Sequence, residues 1–361
     1  MHKPLSYNTY CRGNYRGVLR YITSIALCII LLGVTKVVIN SQQGEMDVWN
    51  IKYQHCSFLY SREQAIEEEL LSSIKVLDSV EGIYPYISNT QAFQGFLSNI
   101  NSIIYFLDRE GIVKVMNQLV PDYDVSQIPL NNQQEALLSR RLAKNKGIKI
   151  GDKIIEEAQI TYQASFESIL PIGFCPTSIE GRGNHYLILA KEGQVDQMNQ
   201  EIRNILPQGV MYQDLESLKR ENVYDYRTLE QTFNIIMVVM TLGLAMTTGI
   251  LTYVHYLARR REVGILSAIG YSNQTLIIRM TKEIVISTVL ATILAIIMIQ
   301  LVIYGFNIFI ALPNGYIPFQ LSLNVLKLIM IIPCFMMVFS LVPTWILLTT
   351  TTQVTLVQRG Y

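Results

Sequence analysis

Charge is scarce in this sequence: Asp, Glu, Lys and Arg make up 16% of its 361 residues, against 50% hydrophobic residues and a mean hydropathy of +0.28. That balance excludes an ordinary well-solvated globular chain and makes a membrane protein the first expectation. Acid is scarcer still outside one block. Residues 41–230 carry 17 Lys+Arg and 26 Asp+Glu, whereas the rest of the chain has 12 basic residues and only two acids, Glu262 and Glu283. A block of net charge −9 offers no basic face for nucleic acid.

Residues that carry chemistry are few and scattered. Cys11, Cys28, Cys56, Cys175 and Cys334 form no C-x-x-C and no zinc-ligand spacing, so no metal site is expected. Only Cys56 and Cys175 fall within 41–230; a disulfide between them is open if the block is extracytoplasmic, and two free thiols are the expectation. His2, His55, His185 and His255 are far apart and belong to no catalytic motif with Ser, Cys or a carboxylate. No segment matches G-x-x-x-x-G-K-[ST], so the chain has no phosphate-cradling loop. An enzyme is not expected, nor a cofactor; any ATP would be bound by a partner.

What is present are four apolar runs. The first, at 18–39, supplies the roughly twenty residues that a bilayer-spanning helix needs, and no small-x-small site ends it, so an uncleaved anchor is expected rather than a signal peptide. Further spans are expected at 233–257, 281–304 and 324–348, giving a cytoplasmic N-terminal segment at 1–17, a cytoplasmic segment at 258–272, an outer loop at 305–323 and a cytoplasmic tail at 349–361. Arg16 and Arg20 flank the start of the first span, Arg259–Arg261 follow the second, and the loop at 305–323 has no Lys or Arg. The positive-inside rule therefore puts both termini in the cytoplasm of a multi-pass plasma-membrane protein, with 41–230 outside. Thr241, Ala245 and Gly249, and likewise Ser287, Ala291 and Ala295, are small residues four apart, the spacing at which membrane helices approach closely; chance occurrence in apolar runs is the competing reading.

Within 41–230, Ser61 and Gln64 have capping-box spacing for a helix SREQAIEEELLSSIKVLDSV with an apolar stripe Ile66, Leu70, Ile74 and Leu77. EGIYPYIS, residues 101–107, the two sides of a Gly151–Asp152 turn, SFESILPIGF and HYLILAK are expected strands; 133–146 and VDQMNQEIRNILP are expected helices. The fold class expected is a membrane protein of four transmembrane α-helices with a large α+β extracytoplasmic domain between helices 1 and 2. From Met211 to Leu257 the chain lacks proline and has glycine only within its apolar half, and it reads as one long helix entering the second span.

The stretch LARRREVGILSAIGYSNQTL at 257–276 reads as a short helix with an apolar side, ended by Gly270 and followed by a capping Ser272 or Asn273. RREVGILSAIGYSNQTLI, with Glu283 beyond it, resembles the loop between the second and third membrane helices of ABC permeases related to MacB, FtsX and the lipoprotein-releasing LolC and LolE, where the pattern is R-R-E-I-G-I-L-R-A-I-G-A-S. Ser267 and Tyr271 depart from that pattern. Leu142, Ala143, Gly147, Gly151 and Asp152 similarly match a segment of the MacB outer domain, and Pro343, Trp345 and Leu356 match the family's closing segment.

The resemblance implies a coupling helix that docks into an ATPase, formed here by Arg260, Arg261, Glu262, Val263, Gly264, Ile265, Leu266, Ile269 and Gly270, with Val263, Leu266 and Ile269 as its contacts. It implies a separate ABC ATPase subunit, a dimer with a second permease copy or paralogue, and a membrane-fusion protein in exporting members. Function would be mechanotransmission: ATPase-driven motion carried to the outer domain, for efflux or removal of a peptide, antibiotic or lipid-linked substrate. The alternative is an FtsX-like signalling permease controlling a cell-wall hydrolase. Arg279 and Glu283 form an i,i+4 pair at the start of the third span, with Lys282 beside them.

Overall fold

The computed structural model describes residues 15–61, 65–96, 99–124, 128, 134–155, 159–177, 184–207, 209–258 and 260–350. His2, Cys11, Gln64, Arg259 and Leu356 lie outside them. Helix α1 (Tyr15–Asn50) runs into a short 3-10 turn (Ile51–Gln54), then β1 (Cys56–Ser61), α2 (Glu68–Lys75), β2 (Val80–Pro85), β3 (Ile87–Gln94), β4 (Asn99–Leu107) and α3 (Arg109–Leu119). There follow β5 (Glu135–Ser139), α4 (Arg140–Lys146), β6 (Lys153–Ile155), β7 (Ile160–Phe166), β8 (Ile172–Pro176), β9 (His185–Ala190), α5 (Val195–Ile205) and β10 (Val210–Gln213). The chain closes with α6 (Leu215–Ala258), α7 (Arg260–Ala268), α8 (Asn273–Phe306), a π-helical turn (Asn307–Ala311) and α9 (Leu323–Thr350).

Two compact units result. A helical unit comprises Met1–Ile39, Leu229–Gly305 and Phe319–Tyr361; an α+β unit comprises Asn40–Thr228 and Phe306–Pro318.

The α+β unit holds two sheets. One is antiparallel, ordered β10-β1-β9-β2; the other is mixed, ordered β3-β4-β8-β5-β7-β6, with β4–β8 and β5–β7 parallel. Strand β9 shows why HYLILA forms a central strand: Tyr186, Ile188 and Ala190 pack on one face with Leu70, Ile74, Met198 and Ile202 of α2 and α5, while Leu187 and Leu189 enter a second cluster on the other face. Both faces are covered, so an unbroken apolar run is what the strand requires. The second cluster also takes Tyr105 and Phe174 from the mixed sheet, and a third, with Ile104, Leu138, Leu142 and Ala143, covers that sheet's far side with α4. Each such buried side chain contributes about 1.5–3 kcal/mol. Lys52 projects into the second cluster: its Nζ lies 5.0–6.0 Å from the ring centroids of Tyr53, Phe58, Trp49 and Tyr105 and donates to the Tyr105 hydroxyl at 3.2 Å, so ring quadrupoles replace water around the ammonium.

Several expected elements take another form. Ser61 is the last residue of β1, paired with Val210, and α2 begins only at Glu68, although Ile66, Leu70 and Ile74 are buried as the stripe requires. EGIYPYIS divides between β2 and β3, which belong to different sheets, at Pro85, whose ring removes a ladder donor. The expected helix at 133–146 is strand β5 followed by α4, because Ala136, Leu137 and Leu138 are wholly buried between β7 and β8. Ser139 then caps α4, accepting from Leu142 N at 3.3 Å. SFESILPIGF likewise covers the end of β7, a connection and β8. Around Gly151 only the later side is a strand: Asp152 N donates to Lys149 O at 2.9 Å, Lys149 N donates to Asp152 Oδ2 at 2.7 Å, and Gly151 at φ +97° makes the turn.

Helix α6 starts at Leu215 rather than Met211, since β10 takes 210–213. Its start is a reciprocal cap in which Ser217 N donates to Asp214 Oδ1 and Asp214 N to Ser217 Oγ, each at 2.8 Å. Its 44 residues span about 66 Å at 1.5 Å rise per residue.

Among the described residues four helices are long and apolar enough to cross a membrane, within Tyr15–Gln54, Gln231–Leu257, Asn273–Ala311 and Leu323–Val342. In the helical unit the small-residue stripes face inward. Ser287, Ala291 and Ala295 are buried, as are Ala245 and Gly249, while Thr241 is partly exposed. A Cβ on Gly249 would lie 2.7 Å from Phe339 O of α9, so α6 and α9 meet backbone to backbone there. Gly33 on α1 is a close approach without a spacing signal: its Cβ would lie 2.5 Å from Ile299 Cδ1 of α8.

Candidate functional site

The short helix α7, with the ends of α6 and α8 beside it, is the candidate site. Its ends are fixed by local chemistry. At the C-terminus Tyr271 N donates to Leu266 O at 3.2 Å and Gly270 N to Ser267 O at 3.0 Å, the paired bonds of a Schellman motif, with Gly270 at φ +104° where a side chain would be strained. Tyr271 and Leu266, the residues whose contact accompanies this motif, both pack on the same apolar cluster. Ser272, not Asn273, caps α8 by accepting from Thr275 N at 3.3 Å.

The apolar cluster joins the three helices. Val263 packs with Tyr256 of α6 and Leu276, Met280 and Ile284 of α8. Val263 is 5% exposed, Gly264 and Ser267 are buried, and Leu266 is half-buried. Of the three residues expected to contact an ATPase, Val263 and Leu266 pack on the chain's own α6 and α8 and Ile269 is exposed; the three-residue spacing marks a stripe but not what it meets. A charged side chain at the buried position of Ser267 would be desolvated. The outward edge is Glu262, Ile265, Ala268 and Ile269, with Ile265 51% and Ile269 71% exposed. Arg260 and Arg261 lie in the first turn of α7.

A charged cluster lies at this junction. Arg279 of α8 donates through Nε to Glu283 Oε1 at 3.1 Å, its i,i+4 neighbour, and through Nη2 to Glu262 Oε1 of α7 at 3.0 Å. The Tyr256 hydroxyl donates to Met280 O at 3.3 Å and lies 3.5 Å from Glu283 Oε2. A cation and a carboxylate buried among apolar helices require such pairing. Lys282 is exposed. Further along the bundle, the Tyr21 and Ser340 hydroxyls lie 3.0 and 3.1 Å from Thr252 Oγ1, linking α1, α6 and α9. These hydroxyl contacts have no local sequence signature, being set by helices far apart in the chain.

Cys56 and Cys175 of the α+β unit are thiols rather than a disulfide; both are buried, and burial pushes each thiol up to about 12. Neither is an available nucleophile. Among the described residues no three His, Cys, Asp or Glu side chains gather as a metal cage would need.

No family model matches the chain, and no curated protein does. Two solved structures that match each cover less than half of it. The periplasmic region of MacB from Actinobacillus actinomycetemcomitans is 11% identical, with a TM-score of 0.28, covering 46% of this chain and 91% of that one. The extracellular domain of the noncanonic ABC-type transporter YknZ from Gram-positive bacteria is 10% identical, with a TM-score of 0.27, covering 44% of this chain and 100% of that one.

Proposed function

We propose that the chain is the permease subunit of a MacB-like ABC transporter, working with a separate ABC ATPase and a second permease copy or paralogue. The observation that carries this reading is the two-sidedness of α7. One side is built into α6 and α8 through Val263 and Arg279, while the other presents Ile265 and Ile269 with Glu262 at their edge. Two large exposed aliphatic side chains one turn apart, Ile265 on α7 and Ile269 just past its end, between two spans suit a partner's groove better than water. The motif RREVGILSAIG supplies the identity of that partner by its resemblance to coupling helices.

In this reading α7 and both termini are cytoplasmic and residues 41–230 are outside. Closure of the ATPase pair presses on Ile265 and Ile269; Arg279 and the Val263 cluster pass the displacement to α8 and α6; α6 carries it to the α+β unit, which acts on a peptide, antibiotic or lipid-linked substrate. The test is affinity purification of the tagged chain from its own membranes. An ABC ATPase should accompany the wild type and be lost from Ile265→Arg/Ile269→Arg, with Cys56 and Cys175 still shielded from thiol reagents. Retention of the ATPase by that variant, or its absence from the wild type, sinks the reading.

A further inference from the structure

The segment Phe306–Pro318, which connects α8 to α9, carries no charged side chain, yet it belongs to the α+β unit rather than to the helical one. The reason lies in one guanidinium. Arg141, in the first turn of α4, donates through Nε to Gly315 O at 2.6 Å, through Nη1 to Ile169 O at 2.6 Å, and through Nη2 to Glu45 of α1 in an ion pair. Glu45 in turn accepts from Ile317 N through Oε1 at 2.8 Å. The Arg141 and Glu45 side chains are only 9% and 5% exposed, and the guanidinium lies over the buried Phe93 ring with its carbon 5.1 Å from the centroid.

The connecting segment is shaped to fit this centre. Gly315 has φ +69°, and a Cβ there would lie 2.4 Å from Arg141 O, so only glycine permits both the turn and the approach. One turn along α4, Asn145 Nδ2 donates to Asn314 O at 2.9 Å and to Gln94 O at 2.8 Å. Tyr316 and Ile317 complete the seat by packing against two clusters of the unit's core.

We propose that Arg141 is a positioning residue that clasps the segment Phe306–Pro318 and the Glu45 turn of α1 to the mixed sheet, making a strap that belongs structurally to the α+β unit. A planar fork with donors in fixed directions can reach three separate segments at once; an ammonium cannot. The chain then ties the α+β unit to α8 and α9 through the strap as well as to α1 and α6. This inference concerns the unit's construction and stands whether or not an ATPase is the partner.

The test is the rate at which N-ethylmaleimide modifies an Ile317→Cys reporter in the detergent-solubilised full chain, read by peptide mass so that native cysteines do not interfere. A second reporter, Glu192→Cys, on the exposed surface, follows the rest of the unit. Arg141→Lys and Arg141→Met should each raise the rate at position 317 by about tenfold through local opening of the strap, with the rate at position 192 unchanged. Gly315→Ala should raise it too without altering a charge, which provides the reading if Arg141→Met does not fold. An unaltered rate at position 317 in Arg141→Lys or in Gly315→Ala overturns the proposal.

Discussion

Arg279 and Glu262 lie 3.0 Å apart across the junction of α8 and α7, and the same guanidinium binds Glu283 one turn further along its own helix. The two carboxylates differ in setting: the Glu283 side chain is 5% exposed and that of Glu262 44%. Removing one member of a buried pair leaves an uncompensated charge, at about 3–5 kcal/mol, whereas an exposed pair is worth about 0–1 kcal/mol. Arg279→Met should therefore lower the thermal midpoint of the helical unit in detergent far more than Glu262→Gln, and Arg279→Met/Glu283→Gln should recover part of the loss. Equal midpoints for the two single variants would show that the Glu283 pair is not buried as described.

Gly249 and Gly243 make a matched pair on α6. A Cβ at Gly249 meets Phe339 O at 2.7 Å, while one at Gly243 meets nothing within 4 Å. Gly249→Ala is expected to cost about 1–3 kcal/mol by forcing α6 from α9. Gly243→Ala should be neutral or stabilise by up to about 1 kcal/mol through helix propensity. Unfolding monitored in a denaturing detergent distinguishes them, and the reverse order would contradict the helix contact.

The buried thiols set an alkaline limit. Burial raises Cys56 and Cys175 from 9.0 to about 12, so above pH 9 the unfolded chain loses protons that the folded chain keeps. Stability from these groups is complete below pH 9 and is lost as pH rises toward 12. Raised values of Tyr86 and Tyr212, also from burial, add to the loss only above pH 10. Lys52, lowered by burial from 10.5 to about 8, works in the opposite sense over this interval, so the thiol contribution is the difference between wild type and Cys56→Ala, whose midpoint should fall less between about pH 9 and 10. Identical profiles for wild type and Cys56→Ala would mean that water reaches the Cys56 thiol.

The four apolar helices, the end of α7 and the start of α8 were legible in sequence because long hydrophobic runs, Gly270 and Ser272 act locally. Strand β5 was not: EALLS is a short apolar run whose period does not separate helix from strand, and burial between β7 and β8 decides it. Nor was the orientation of α7, since periodicity groups Val263 with Leu266 without saying that α6 and α8 already occupy that side. Contacts such as Glu45 with Arg141, 96 residues apart, join segments that carry no mutual pattern.

If α6 transmits motion, interrupting it should uncouple its ends. Residue 221 lies inside the helix, and proline there removes a hydrogen bond at a local cost of about 3 kcal/mol. Glu221→Pro should keep ATPase association and ATP hydrolysis while losing substrate-dependent activity in cells. Full cellular activity, with a kink verified structurally, would show that a continuous α6 is not the route.

The most direct measurement places a photo-reactive benzoylphenylalanine at single positions of α7 in living cells. Adducts with an ABC ATPase are expected from Ile265 and Ile269, on the exposed edge, and none from Val263, which faces α6 and α8. No ATPase adduct from either isoleucine, or adducts of equal yield from Val263, would contradict the docking of α7 on an ATPase.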